Sequence, residues 1–341
     1  MKAVRFHEHG GLDVLQYENV DDLRPGSGEI VVEVRACALN HLDLFQRRGI
    51  PGIRLPHTSG SDVAGIVSLS TVPEVEPGQR VMLQPGLSCG RCRACLSGAD
   101  NLCGEYGIIG YRSEGGYAEF VAAPAVNAIP LPDNIGFHEA AAFPLVFVTA
   151  WHMLIDRARL RAGETVLVLA AGSGVGQAAI QIARLHGARV IATAGSADKL
   201  NRARELGADA AIDHYSEDVA SEVRALVGRA GVDVVCEHVG DATWAASLKC
   251  LARGGRLVTC GATTGPHVSL DLRHLFTKQQ SLIGSYMGTK GELLLAAHHF
   301  FNGDFTPVVD CVFPLREAGD AQKRLEQKKQ FGKIVLDPTL S

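Results

Sequence analysis

No run of 18 apolar residues occurs anywhere in the 341 residues, so the sequence offers no segment to span a membrane. The opening stretch MKAVRFHEHGG lacks the apolar core that a secretion signal needs. The expected location is therefore the cytoplasm. Basic runs are missing too. Lys and Arg (33) fall short of Asp and Glu (37), giving a formal charge of −4, so nucleic acid is not an expected partner. Internal repeats and low-complexity tracts are absent. What is present is 46% hydrophobic residues in a chain long enough for two domains, each able to bury a core.

The chain is organised around residues 165–213. Val166, Leu167, Val168, Leu169 and Ala170 form a run with no polar face, as a parallel strand buried on both sides requires. The turn Ala171-Gly172-Ser173-Gly174-Val175-Gly176 follows. Ala179, Ile182, Ala183 and Leu185 then recur at helical spacing, Gly187 ends the helix, and residues 189–193 make a second strand. This is the dinucleotide-binding half of a doubly wound sheet. A pyrophosphate must reach backbone N–H groups at the helix N-terminus, where the dipole favours an anion. Side chains would obstruct that approach, so glycine suits positions 174 and 176. The predicted cofactor contacts here are Ala171, Ser173, Gly174, Val175 and Gly176.

The end of the second strand lacks an acid. It reads Ala192-Thr193-Ala194-Gly195-Ser196, with none before Asp198. NAD sites place Asp or Glu there to hold the ribose 2′-hydroxyl. An acid would repel a 2′-phosphate, and its absence makes room for one. Ser196 can donate a hydrogen bond, and Lys199 and Arg202 can supply charge. NADPH is the expected cofactor. The alternative is that Lys199 and Arg202 are only a solvated helix face.

Beyond Asp213 the alternation continues. Helices are predicted over 216–228 and 243–251, and strands over 232–237 and 256–260, as a parallel sheet with crossover helices requires. Residues 1–135 read differently. Short strands at 29–34, 62–67, 79–83 and 117–121 are punctuated by Pro25-Gly26, Pro77-Gly78 and Pro85-Gly86, which suggests a barrel-like β domain. Residues 139–154 read as a helix broken at Pro144. The tail 331–336 reads as a last strand that could return to the first domain.

Four of the nine cysteines are bunched as CGRCRACLSGADNLC: Cys89, Cys92, Cys95 and Cys103. Cysteines this close cannot all pair comfortably as disulfides, whereas four thiolates in one loop suit tetrahedral zinc. A closed set of four leaves no open coordination position, so such a metal folds the loop and performs no chemistry. An iron–sulfur cluster and a redox disulfide are the alternatives. Cys37, Cys236, Cys250, Cys260 and Cys311 are scattered and read as small apolar residues.

These features in order resemble the medium-chain dehydrogenase/reductase superfamily, which includes zinc alcohol dehydrogenases and quinone oxidoreductases. The resemblance rests on the start MKAVRFHEHGG, the glycine-rich turn, GARVIATAGS, residues 254–261 including Gly261, FGKIVL and the cysteine lobe. The family's usual turn is AxxGxxG; Ala170 and Gly176 fit, and Ser173 replaces the middle glycine. The resemblance implies a GroES-like β-barrel catalytic domain with an inserted Rossmann domain and the active site in the cleft between them. It also implies a structural zinc on the four cysteines. The expected division is 1–135 with 287–341 around 136–286. Some members are dimers through the Rossmann sheet edge, so a homodimer or homotetramer is expected.

One thing the family often has is missing. Its alcohol dehydrogenases carry a catalytic zinc on a Cys, the His of a Gly-His-Glu motif and a third ligand, usually Cys. The matching positions here are Asn40, Gly60-Ser61-Asp62 and Leu145. Asn, Ser and Leu do not supply thiolate or imidazole. Without that Lewis acid, an easier hydride acceptor is expected: a quinone or an α,β-unsaturated carbonyl. The protein then needs to orient the acceptor and hydrogen-bond the developing enolate. Asn40, Asp43, Ser61 and Thr149 are the expected catalytic residues. The quinone reductase branch also carries Asn and an acid at the first and second of these, but Phe45 stands where some members have Tyr. The alternatives are an alcohol dehydrogenase with an improvised site from His41, Asp43, His57 and Asp62, and a non-catalytic NADPH-binding protein.

Overall fold

A computed structural model describes residues 1–340. By its internal contacts the chain forms two units, Met1–Leu145 with Thr289–Ser341, and Val146–Gly288. The sequence predicts boundaries after residues 135 and 286; they fall after 145 and 288 instead. The reason for the first difference is helix α3 (Phe137–Ala141), which packs on the strands of the first unit's main sheet.

The first unit begins with β1 (Lys2–Phe6) and β2 (Leu15–Asn19), an antiparallel pair. Then come β3 (Glu29–Ala38), α1 (His41–Arg48), β4 (Asp62–Ser70), β5 (Arg80–Leu83) and β6 (Gly86–Leu87). They are followed by α2 (Arg93–Leu96), β7 (Gly107–Ile108), β8 (Phe120–Pro124), β9 (Ala128–Pro130) and α3. Helix α4 (Pro144–Trp151) starts at the predicted proline break and continues as a π-helical segment, His152–Arg157.

The second unit holds β10 (Thr165–Val168), α5 (Gly174–Leu185), β11 (Arg189–Ala194), α6 (Ala197–Glu205), β12 (Ala210–Asp213) and α7 (Val219–Val227). It continues with β13 (Val232–Glu237), α8 (Asp241–Cys250), β14 (Leu251–Thr259), α9 (Leu272–Thr277) and β15 (Ser281–Gly284). The chain then returns to the first unit with α10 (Lys290–Phe301), β16 (Val309–Pro314), α11 (Ala318–Glu326) and β17 (Lys333–Asp337).

The main sheet of the first unit runs β16-β17-β3-β4-β5-β9, with β8 also on β3. Ile30, Val32, Val34, Val63, Val67, Val81 and Leu83 fill its core. The β3–β4 pair is close enough to demand glycine at position 65. A Cβ there would lie 2.0 Å from the Glu33 carbonyl oxygen. Strand β17 pairs antiparallel with β3, Val335 opposite Ala38 and Leu336 opposite Cys37, so the last strand does return to the first unit.

The sheet of the second unit runs β12-β11-β10-β13-β14-β15, and every pair is parallel. Val166, Leu167, Val168, Val234 and Val235 are fully buried, as two covered faces require. The chain starts mid-sheet at β10, winds outward to β12, then crosses back to place β13 on the other side of β10. That is a topological switch point, where doubly wound sheets bind ligands at the strand carboxyl ends. The apolar run 166–170 does not all stay in the strand. Ala170 turns left-handed (φ 46°) and bends the chain into the glycine turn. No helix among the described residues is long and apolar enough to cross a membrane.

Candidate active site and thiolate cluster

The glycine turn lies at the switch point. Ser173 is the N-cap of α5, and its Oγ accepts the Gly176 N–H at 2.8 Å. The serine that replaces the family's middle glycine thus serves as a helix cap. Ala171 donates its N–H to the Thr193 carbonyl at 2.8 Å, tying the turn to β11. A Cβ on Gly176 would lie 2.3 Å from the Ala170 carbonyl oxygen, so only glycine allows this path. The N–H groups of Gly174 and Val175 head the first turn of α5, where backbone donors and dipole together favour an anion.

Next to it stands His238, directly after β13. Its Nε2 lies 2.9 Å from the Leu169 carbonyl oxygen and 3.5 Å from Ser173 Oγ. A carbonyl only accepts, so Nε2 carries the proton and donates. Burial holds the imidazole below its ordinary pKa, which keeps the ring neutral. Gly261 passes close by; a Cβ there would lie 3.0 Å from the His238 carbonyl oxygen. Glu237 is buried and accepts the N–H groups of Val239 and Gly240, fixing the loop that carries His238. No local pattern signals His238, which reads in the sequence as one isolated histidine.

At the end of β11, Ser196 is the N-cap of α6, its Oγ facing the Lys199 N–H at 3.4 Å. The adjacent Gly195 is crowded by two residues that sequence reasoning passed over. A Cβ at 195 would lie 2.3 Å from the Tyr215 ring and 2.9 Å from His214 Nε2. The Tyr215 ring stands edge-on to His214, and the residue is 76% exposed.

In the first unit, a buried polar cluster gathers Asn40, Asp43 and Asp62 with two residues not expected from the sequence, Tyr117 and Lys333. The Asp43 carboxylate accepts the Asn40 backbone N–H at 2.8 Å, closing the first turn of α1, and the Tyr117 hydroxyl at 3.0 Å. Burial pushes the Asp43 carboxyl up to about 6, against those donors and the pull of Lys333. Asp62 Oδ1 accepts the Leu145 backbone N–H at 2.8 Å. Its Oδ2 accepts Lys333 Nζ at 2.8 Å and Asn40 Nδ2 at 2.9 Å. Lys333 Nζ also donates to Asn40 Oδ1 at 2.6 Å.

This arrangement alters the part expected of Asn40. Its amide, expected to meet the acceptor, is engaged at both ends within the protein. The Ser61 and Thr149 hydroxyls are different. Both are buried, and neither oxygen has a protein partner among the described residues. A catalytic zinc does not fit the first-unit cluster. The cluster offers no thiolate or imidazole: Asn40 brings an amide, the Asp62 carboxylate is paired with an ammonium, the Asp43 carboxylate accepts the Asn40 N–H and the Tyr117 hydroxyl, and Leu145 contributes only its backbone N–H. His57 is no better as a ligand, since Nε2 lies 2.9 Å from the Gly110 carbonyl oxygen and the ring packs edge-on against Phe6.

The four bunched cysteines do meet. All four Sγ atoms lie within 4.8 Å of one another. Cys92 and Cys95 are 3.5 Å apart and Cys89 and Cys95 are 3.9 Å apart. A Zn–S bond of about 2.3 Å and tetrahedral angles would set S···S at about 3.8 Å. None of the nine cysteines forms a disulfide. Backbone donation from Arg91 and Cys92 draws the Cys89 thiol down to about 6, so a thiolate is at hand near neutral pH.

Comparison with known proteins agrees with this architecture. The family model described as alcohol dehydrogenase GroES-like domain matches residues 26–133, and that described as zinc-binding dehydrogenase matches residues 174–302. A Pseudomonas aeruginosa quinone oxidoreductase is 33% identical over 99% of this chain and 99% of its own length. A Mus musculus quinone oxidoreductase is 33% identical over 98% and 97%. Among solved structures, an NAD-dependent alcohol dehydrogenase is 45% identical with TM-score 0.96, covering 99% of each chain. A cobalt- and zinc-bound thermostable alcohol dehydrogenase from Pyrobaculum aerophilum is 34% identical with TM-score 0.91, also covering 99% of each. The chain belongs to the medium-chain dehydrogenase/reductase superfamily. It is an NAD(P)-dependent oxidoreductase.

Proposed function

We propose that this enzyme reduces a quinone-like or α,β-unsaturated carbonyl acceptor with NADPH, using no catalytic zinc and holding one structural zinc. One observation carries the reading. The family resemblance sets the catalytic-zinc ligands at positions 40, 61 and 145, which here are Asn, Ser and Leu, and Asn40 is instead bound to the Lys333–Asp62 ion pair. The quinone oxidoreductase names of the full-length relatives support it.

Bound NADPH would supply the hydride. The Gly174 and Val175 N–H groups would hold its pyrophosphate, and Ser196 and Lys199 its 2′-phosphate. The exposed Tyr215 ring, over Gly195, offers an apolar face beside that phosphate. In the first unit, the Ser61 hydroxyl is the group proposed to donate to an acceptor oxygen as negative charge develops there. Cys89, Cys92, Cys95 and Cys103 would hold the zinc; a closed thiolate set leaves no open position for substrate. Strand β15 ends its sheet, and Leu272 and Phe276 of the nearby α9 are exposed, which supports pairing with a second copy. Light scattering should then give at least twice the 36.2 kDa chain mass.

The test is NADPH oxidation against parallel panels of quinones, alkyl enones and simple alcohols with NADP⁺. Turnover of quinones or enones by protein carrying one zinc per chain is expected. Turnover confined to alcohols, and lost when a second zinc is removed, would favour the dehydrogenase reading. In the same assay Lys199→Asp should weaken NADPH by about 100-fold, the loss of one charge-assisted pair plus a repulsion, and leave NADH nearly unchanged. Equal losses for both would remove Lys199 from the phosphate site.

A further inference from the structure

Lys333 is 3% exposed and lies 293 residues from Asn40 in the chain. It forms a closed three-way contact. Its Nζ reaches Asn40 Oδ1 at 2.6 Å and Asp62 Oδ2 at 2.8 Å, and Asn40 Nδ2 reaches the same Asp62 oxygen at 2.9 Å. The chemistry of these groups permits one arrangement only. An ammonium donates and never accepts, so the amide oxygen must face Lys333. A carboxylate only accepts, so the amide nitrogen must face Asp62. Remove the ammonium, and the Asn40 amide oxygen loses its partner while Asp62 becomes a buried charge with two N–H donors and no cation.

We propose that Lys333 is the resident cation of this site and the positioning residue for Asn40 and Asp62. Its ammonium balances the buried Asp62 charge and holds fixed the start of β4, directly after Ser61. Ser61 immediately precedes Asp62, so an Asp62 that shifts takes the Ser61 hydroxyl with it. The role in turnover rests on the reductase reading above. The fixing of the amide does not.

Two measurements test it on the full-length protein. The first is kinetic. Lys333→Met should lower kcat toward a quinone or enone by about 100-fold, the scale expected when a polar group moves by an ångström. NADPH affinity should stay within about twofold, because the glycine turn belongs to the other unit. Asn40→Ala should also lower kcat, and the double variant should be no worse than Lys333→Met alone, since the two act as one unit. Unchanged kcat in folded Lys333→Met, or multiplying losses, would overturn the proposal. Should Lys333→Met fail to fold, Lys333→Arg gives the cation back in another shape, and kcat should then fall while NADPH still binds.

The second measurement needs no turnover. In the wild type the Asn40 Nδ2 protons should give two resolved, slowly exchanging NMR signals. In Lys333→Met they should exchange faster and broaden. Equally sharp signals in both proteins would show that Lys333 does not fix the amide. A wild type that turns over neither quinones nor enones would sink the reductase reading, and these signals would still decide the position of Lys333.

Discussion

Cys95→Ser protein is expected to lose the zinc proposed for the four thiolates, falling from about one ion per chain to near none, and most of it should aggregate. The physical reason is the scale of the metal's contribution. Structural zinc adds on the order of 10 kcal/mol to the folding of the segment it closes. The segment from Cys89 to Cys103 has little else. Its helix α2 spans four residues, none of them buried. Serine cannot replace a thiolate that sits 3.5 Å and 3.9 Å from two others. The soluble remainder should still bind NADPH, because the glycine turn lies in the other unit. Elemental analysis with a cofactor titration on the same sample checks both halves. A stable variant with unchanged zinc would remove the four-thiolate assignment.

The second large effect is at the glycine turn. Gly176→Val puts a branched Cβ where even a single carbon would sit 2.3 Å from the Ala170 carbonyl oxygen. That atom is backbone, held between β10 and the turn, and it cannot swing aside. The start of α5 must move, and the Gly174 and Val175 N–H groups move with it. Two charge-assisted hydrogen bonds to a pyrophosphate, each worth about 1.5–3 kcal/mol, would be weakened together. Affinity should fall by about 100-fold or more, with NADPH and NADH affected alike, since both carry the pyrophosphate. Fluorescence titration of each cofactor reads this directly. Retained affinity would place the dinucleotide away from the turn. The contrast with Lys199→Asp, which should separate the two cofactors, distinguishes pyrophosphate binding from 2′-phosphate recognition.

Local pattern made much of this legible. The run Val166–Val168, the glycine turn and the α5 periodicity identify a nucleotide-binding unit because strand, turn and helix are each set by near neighbours in the chain. The four cysteines could be read as a cluster because they fall within 15 residues, counted from Cys89 to Cys103. The missing zinc ligands were legible as residue types at family positions. The first domain boundary was not, because the docking of α3 on the barrel sheet depends on packing rather than on composition.

The sequence by itself determined the two-unit α/β and β architecture, the thiolate cluster and the residue types at positions 40, 61 and 145. Only the tertiary structure decided what stands in that place. Strand β17 is buried along its whole length, so no alternation of polar and apolar residues marks which way Lys333 faces. The pairing of β17 with β3 brings it to Asn40 and Asp62. That pairing joins residues nearly 300 positions apart, a contact that near-neighbour patterns cannot encode. The same holds for the Ser61 and Thr149 hydroxyls, whose lack of protein partners follows from everything packed around them.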